Sequence, residues 1–304
     1  MYLRKYFLFI TLSLSIYSSY SQNIKTDYKL QQQLATLLDG FHGVAGVYVR
    51  NLKTNKIAAV NADTIFPTAS IVKVPILIGI FDKINNGELQ YHQPLLYRDS
   101  LKKSGSGLMQ YFKDSTSTSL NVLAALMMSY SDNTTSLWCQ SLAGGGAAIN
   151  SILGQFGLKN TRVNSLTKGR EENRKQYGWG QTTPREMAEL LAMIRTGKVV
   201  SQQASEEMYR LMTHTFYGQY SVSQVPPYIQ TASKQGMVND SRSELLLVNA
   251  PHGDYVFYIA TKNIKDTSWD DTTNDAWVLQ RKVSAMLWNY FEPKDGWQAK
   301  NITK

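Results

Sequence analysis

One cysteine, four histidines and eight prolines are all that the 304-residue chain contains of those types. The lone Cys139 excludes an intrachain disulfide. Its neighbours Leu137, Trp138 and Leu142 follow an apolar helical pattern, which marks it as a buried structural thiol. His42, His92, His214 and His252 are isolated and lack ligand spacing, so no metal site is expected, nor a cofactor of any kind. The net charge is +9, yet it gathers into no basic block or aromatic–basic repeat. We read it as a solvated surface and expect no nucleic-acid partner. Internal repeats, low-complexity tracts and linkers are missing too, which leaves one compact unit long enough for a sizeable core.

Apolar runs long enough to span a bilayer are also lacking. The run over 7–16 lies behind Arg4 and Lys5 and ahead of Ser19-Tyr20-Ser21, a small-x-small cleavage pattern. It reads as an export signal over residues 1–21, with an uncleaved anchor as the other reading of the same run. No cysteine follows it, which argues against a lipoprotein anchor. Cleavage before Gln22 would release residues 22–304 as a single two-lobed domain, periplasmic or secreted, monomeric and free of the membrane.

Leu30, Leu34, Leu37 and Leu38 share one face of a helix expected over 26–38. Alternating residues over 44–51 and 56–61, around a turn at Lys53-Thr54-Asn55, predict a hairpin. Further helices are expected over 120–128, 134–142, 147–156, 201–212 and 274–291. A helix after Thr183-Pro184 has a capping box closed by Glu186. Strands are expected over 231–238, 244–249 and 255–261. The stretches 93–119 and 164–181 read as polar loops, and the first is rich enough in small residues to approach something closely. Strands at both ends with helices between imply an α+β sandwich. An antiparallel sheet from both termini would carry the terminal helices on one face and a helical lobe on the other.

The chemistry gathers at Ser70-Ile71-Val72-Lys73, where an irregular segment turns into the apolar helix Ile76-Leu77-Ile78-Gly79-Ile80-Phe81. Residues i and i+3 share a helix face, so the Lys73 amine can meet the Ser70 hydroxyl. A serine is a weak nucleophile until a base takes its proton, and a desolvated lysine can serve. The Ser-x-x-Lys pattern also occurs at Ser100/Lys103 and Ser165/Lys168, but without a buried helix behind it. What distinguishes the first is Ser131-Asp132-Asn133 and Lys234-Gln235-Gly236 downstream.

These three motifs, in this order and spacing, resemble the β-lactamase and penicillin-binding protein superfamily, most closely its class A-like branch. The resemblance runs over roughly 30–291. It implies that Ser70 is the nucleophile, Lys73 its general base, and Ser131 the relay of a proton to the leaving nitrogen. It further implies that Lys234 steers a substrate carboxylate, Asn133 binds the substrate amide and Asp132 braces its loop. Gly236 would let substrate backbone lie along the strand, and the backbone N–H groups of Ser70 and Met237 would form the oxyanion hole. Arg242 resembles the arginine that helps bind the substrate carboxylate, with a plain surface arginine as the other reading. Lys103-Ser104-Gly105 mimics the third motif but lies in no strand.

Two departures stand out. Gln235 replaces the usual serine or threonine, so an amide would have to bind the carboxylate. Thr167 stands where the class A pattern has the glutamate that activates the deacylating water, and Glu171 and Glu172 are the nearest carboxylates. The leading reading is an exported serine hydrolase that cleaves β-lactam or related amide bonds through a Ser70 acyl-enzyme; the alternatives are a D,D-peptidase-like or other amidohydrolase on cell-wall peptides, or a penicillin-binding protein without turnover. In each the partner is a small β-lactam or peptide-like molecule.

Overall fold

A computed structural model describes residues 24–299, so the expected signal over 1–21 lies outside the described residues. Strands β1 (Lys25–Thr26), β2 (Val44–Asn51) and β3 (Lys56–Val60) come from the N-terminal part. From the C-terminal part come β9 (Thr231–Val238), β10 (Ser241–Val248) and β11 (Tyr255–Lys262). Together they form a six-stranded sheet in the order β1-β3-β2-β11-β10-β9. Every pairing is antiparallel except β1 with β3.

Residues alternate across the pleat and build two cores. Val47, Val49, Leu246, Val248, Phe257 and Ile259 meet Leu30 and Leu34 of α1 (Tyr28–Leu38) and Leu279, Val283 and Leu287 of α9 (Asp275–Phe291). On the other face Tyr48, Leu245, Leu247, Val256 and Tyr258 join the larger core under the helical lobe. That lobe contains α2 (Lys73–Asn85), α3 (Leu120–Ser129), α4 (Asn133–Leu142), α5 (Gly145–Gln155), α7 (Pro184–Arg195) and α8 (Gln202–Met212). The segment Lys73–Phe81 of α2 is buried throughout, so the helix runs through the middle of the domain. Cys139 is buried in α4. Among the described residues no helix is long and apolar enough to cross a membrane.

Several boundaries differ from the pattern in the sequence, each for a local reason. Helix α1 starts two residues late because Lys25 and Thr26 pair with Lys56 and Ile57, and Asp27 then caps the helix by accepting from Leu30 N. The stretch 164–181 is not all loop. It contains α6 (Glu171–Tyr177) and ends in β8 (Gly180–Thr182), which joins β4 (Phe66–Pro67) and β7 (Arg162–Val163) in a small sheet. Likewise β5 (Pro94–Leu96) and β6 (Ser117–Ser119) pair within 93–119. Thr183 caps α7 as expected, but the Glu186 carboxylate does not return to it. It accepts instead from the backbone N–H groups of Lys159, Asn160 and Thr161, tying α7 to the turn before β7.

Gly146, in the first turn of α5, shows how closely 164–170 is pressed onto the lobe. A Cβ there would lie 1.8 Å from Thr167 Oγ1 and 3.2 Å from Val163 Cγ1. Replacing Gly146 with alanine is therefore expected to destabilise the fold by about 1–3 kcal/mol through overpacking. In urea unfolding, the double variant Gly146→Ala/Thr167→Ala should recover most of that loss, because it removes the hydroxyl that collides.

Candidate active site

A 3₁₀ turn over Ala69–Val72 carries Ser70, and α2 begins at Lys73. The chain enters this turn with Ala69 at φ 44°, and Ser131 sits at φ 54° between α3 and α4. Left-handed backbone in residues with a Cβ costs on the order of 1 kcal/mol each. Both strained residues belong to the site, and both aim a serine hydroxyl at one lysine. Lys73 Nζ lies 2.9 Å from Ser70 Oγ, 3.0 Å from Ser131 Oγ and 3.0 Å from Asn133 Oδ1, and it also donates to the Ser131 carbonyl. From the far side Lys234 Nζ comes within 3.0 Å of the same Ser131 Oγ and donates to Gln235 O at 3.1 Å.

Both amines are fully buried. Burial pushes the Lys73 ammonium well below the ordinary lysine value, the nearby Lys234 charge pushes it further, and the Asp132 carboxylate opposes both. Burial also lowers Lys234, to about 7, against the opposing charge of Glu244. A neutral Lys73 has a lone pair for the Ser70 proton. A protonated Lys234 keeps a hydrogen for Ser131 Oγ. The row Ser70–Lys73–Ser131–Lys234 is thus a continuous path for a proton.

Asp132 braces the loop in front of this row. Its Oδ2 accepts from Leu108 N at 2.6 Å and Met109 N at 2.7 Å, while Oδ1 caps α4 through Thr135 N at 2.9 Å. The small-residue loop comes as close as its composition suggests, since Asn133 N donates to Ser106 O at 2.9 Å. The resulting cleft of about 800 Å³ is lined by Ser70, Ser131, Asn133, Lys234, Gln235 and Met237. Lys103 and Ser104, which the sequence pattern sets aside as a chance match, also stand on its wall.

The structure does not bring every expected residue to the cleft. Arg242 is buried outside it, donating to the carbonyls of Val238, Asn239, Ser241 and Ser268, with its guanidinium 4.6 Å from the rings of both Trp269 and Trp277. In this arrangement it is neither a surface arginine nor free to meet a substrate. Gly236 packs closely against the turn that carries Ser70. A Cβ there would stand 2.3 Å from the Thr68 carbonyl. Gln235 does reach the cleft, but its amide is engaged: Nε2 donates to Ser233 Oγ and Glu244 Oε1, and Oε1 accepts from Thr215.

The 164–179 segment gives the cleft no carboxylate. Thr167 is buried with its hydroxyl donating to Ser165 O. Glu171 is exposed and accepts from Gly169 N at 3.0 Å, and the N–H groups at the start of α6 hold its carboxyl below the usual range. Glu172 pairs with Lys175 in solvent. The residues of this segment that line the cleft are Arg174 through Trp179, and the acidic residue among the described lining is Asp240, at the β9–β10 turn. Tyr217 and Trp269 are wall residues that the motifs did not reveal. An aromatic next to a polar loop gives no sequence signal of its own.

Fold and site together define a serine hydrolase of the β-lactamase and penicillin-binding type. The profile of the β-lactamase enzyme family matches residues 29–291, and the chain belongs to that family. The β-lactamase VEB-1 of Pseudomonas aeruginosa is 24% identical, over 94% of this chain and 98% of its own length. The extended-spectrum β-lactamase PER-1 of the same organism is 21% identical, over 89% and 90%. Among solved structures PBP-A superposes with a TM-score of 0.78 at 26% identity, over 88% of this chain and 98% of that one. A mutant of PBP-A, as an acyl-enzyme complex with penicillin G, gives the same TM-score.

Removing the Asp132 carboxylate would strand three backbone donors. Asp132→Ala should lower stability by about 3 kcal/mol in chemical denaturation. Hydrogen exchange should show the amides of Leu108 and Met109 losing protection while those in β10 and β11 keep it.

Proposed function

We propose that Ser70 is acylated by β-lactams and by related amides of peptide origin, and that the acyl-enzyme then persists. Neutral Lys73 takes the Ser70 proton as Oγ attacks the carbonyl carbon. The oxyanion is held by the backbone N–H groups of Ser70 and Met237. The Ser131 hydroxyl, kept polarised by Lys234, delivers the proton to the departing nitrogen, and Lys73 restores it. Asn133 and Gln235 contact the acyl portion, Lys234 draws in its carboxylate, and Arg242 acts on that subsite through the wall it shares with Trp269. We further propose that the protein works outside the cytoplasm as a monomer after loss of residues 1–21.

The observation that carries slow release is the composition of the cleft wall. Hydrolysis of the ester needs a base beside the attacking water, and Glu171 and Glu172 are turned to solvent and engaged there. Similarity to the β-lactamases VEB-1 and PER-1 favours a second reading, full β-lactam turnover, with a base brought in by movement of α6.

Intact-mass spectrometry decides between the two. With penicillin G or a cephalosporin, the wild type should gain one acyl mass that outlasts free-drug removal, and Ser70→Ala should gain none. An adduct that vanishes while drug is consumed would support full turnover. The acylation rate should also be bell-shaped in pH. It should fall at low pH as Lys73 becomes protonated, and fall again as pH rises above the Lys234 value of about 7 and its ammonium is lost. Stopped-flow acylation across about pH 5 to 9 measures both limbs, and Lys234→Ala should abolish the alkaline one.

A further inference from the structure

Of the six tryptophans, all among the described residues, only Trp269 is exposed, at 62%. A lone apolar side chain in water needs no explanation. This one stands in the wall of the cleft and is held still from behind. The Arg242 guanidinium lies over its ring at 4.6 Å, and at the same distance over the ring of Trp277, which is buried. The two indoles are 6.1 Å apart and inclined by 57°, so the cation fills a wedge between them. Trp277 in turn stacks on Tyr220 at 5.2 Å, with the two rings 9° from parallel. Four flat groups thus form one pile that begins at Tyr220 and ends in the cleft at Trp269.

The backbone beside the indole is fixed as well. Ser268 O accepts from Arg242 Nη2 at 3.2 Å and from Asn274 Nδ2 at 3.1 Å. Asn274 Nδ2 also donates to Asp266 O at 2.8 Å, and Asp266 Oδ1 accepts from Ser268 N at 2.9 Å. The cation–π contact sets the tilt of the ring and leaves its remaining surface to the cleft. A side chain that is already ordered loses little freedom when a ligand arrives, so contact with it is gained at low entropic cost.

The place of the pile along the cleft says which part of a bound molecule it meets. Strand β9 lines the cleft from Lys234 to Val238, rising about 3.3 Å per residue. Arg242 donates to Val238 O and Asn239 O, so the pile stands at the β9–β10 turn, at the end away from Lys234. A molecule with its carboxylate at Lys234 and its carbonyl at Met237 N–H presents its acyl side group to that end.

We propose that Trp269 is a specificity-determining residue, whose open surface stacks on a planar, conjugated group in the acyl part of the molecule that reacts with Ser70. Arg242 contributes charge from behind the wall, and the indole in front of it contributes surface. Ring pairs favour such offset contact over what their buried area alone would give. The stacked ring lies away from the reacting carbon, so the gain falls on the encounter complex and leaves the bond-forming step alone. The reaction with Ser70 rests on the function proposed above, and the stacking itself does not.

Two measurements keep them apart. In Ser70→Ala protein labelled with ¹⁵N at tryptophan, the Trp269 indole signal is assigned by its loss in Ser70→Ala/Trp269→Phe. Penicillin G should move that signal, and 6-aminopenicillanic acid, the same nucleus without the phenylacetyl group, should not. A signal that stays still with penicillin G, or moves equally with both, overturns the proposal whether or not Ser70 ever reacts. In stopped-flow acylation with Ser70 intact, Trp269→Ala should raise the apparent dissociation constant for penicillin G about 5-fold at an unchanged limiting rate. The constant for 6-aminopenicillanic acid should stay the same, and Trp269→Phe should restore most of the affinity for penicillin G. A purely structural Trp269 would weaken both compounds alike or lower the limiting rate, and either result overturns the proposal. If neither compound acylates the wild type, the proposed function fails and the NMR measurement still decides the stacking.

Discussion

Two lysines share one hydroxyl inside the protein, and much of the rest of the structure serves to make that tolerable. Lys73 and Lys234 both reach Ser131 Oγ at 3.0 Å, and neither amine is open to solvent. Two ammonium groups so placed would repel strongly in a medium that screens poorly. The arrangement holds together when one amine gives up its proton. Burial and the neighbouring charge select Lys73, and the result is a base next to a serine. The surrounding architecture fixes the distances: α2 as a buried rod, a tight turn for Ser70, a left-handed Ser131, and β9 pressed onto the turn where Gly236 has no side chain.

Much of this could be read from the residues. Hydrophobic periodicity gave the sheet from both termini and the layers around it, because each strand alternates and each helix has a stripe. The Ser70 and Ser131 motifs lie where a helix starts or breaks, and the Lys234 motif lies along β9 at the end of the sheet. Other features depend on geometry that no local pattern encodes. The carboxylate of Glu186 could equally close its own helix cap or hold a distant turn, and only the proximity of 159–161 decides it. Arg242 has the right strand and the wrong direction, because a longer-range partnership with Trp269 and Trp277 claims its guanidinium. Helix α6 has no periodic signal in the sequence because its residues bury no apolar stripe.

The comparison with relatives follows the same division. Membership of the family accounts for the fold and for the class of hydrolase. It does not decide what lines the cleft, where the 164–179 segment places no carboxylate among the described lining. Fold and chemistry separate at that wall.

The small sheet of β4, β8 and β7 has a consequence for how such a protein can change over time. It ties Phe66 and Pro67, just before the nucleophile turn, to both ends of the segment that walls the cleft, and the stem extends through Asn164 and Ser165 to the Trp179 carbonyl. Residues 166–178 thus hang from a ladder that is already closed. Lengthening, shortening or replacing them changes the entropy of a loop whose ends stay fixed, and that entropy grows only slowly with length. The segment is a cassette: a lineage can exchange its contents, and with them one wall of the cleft, while Ser70 keeps its place.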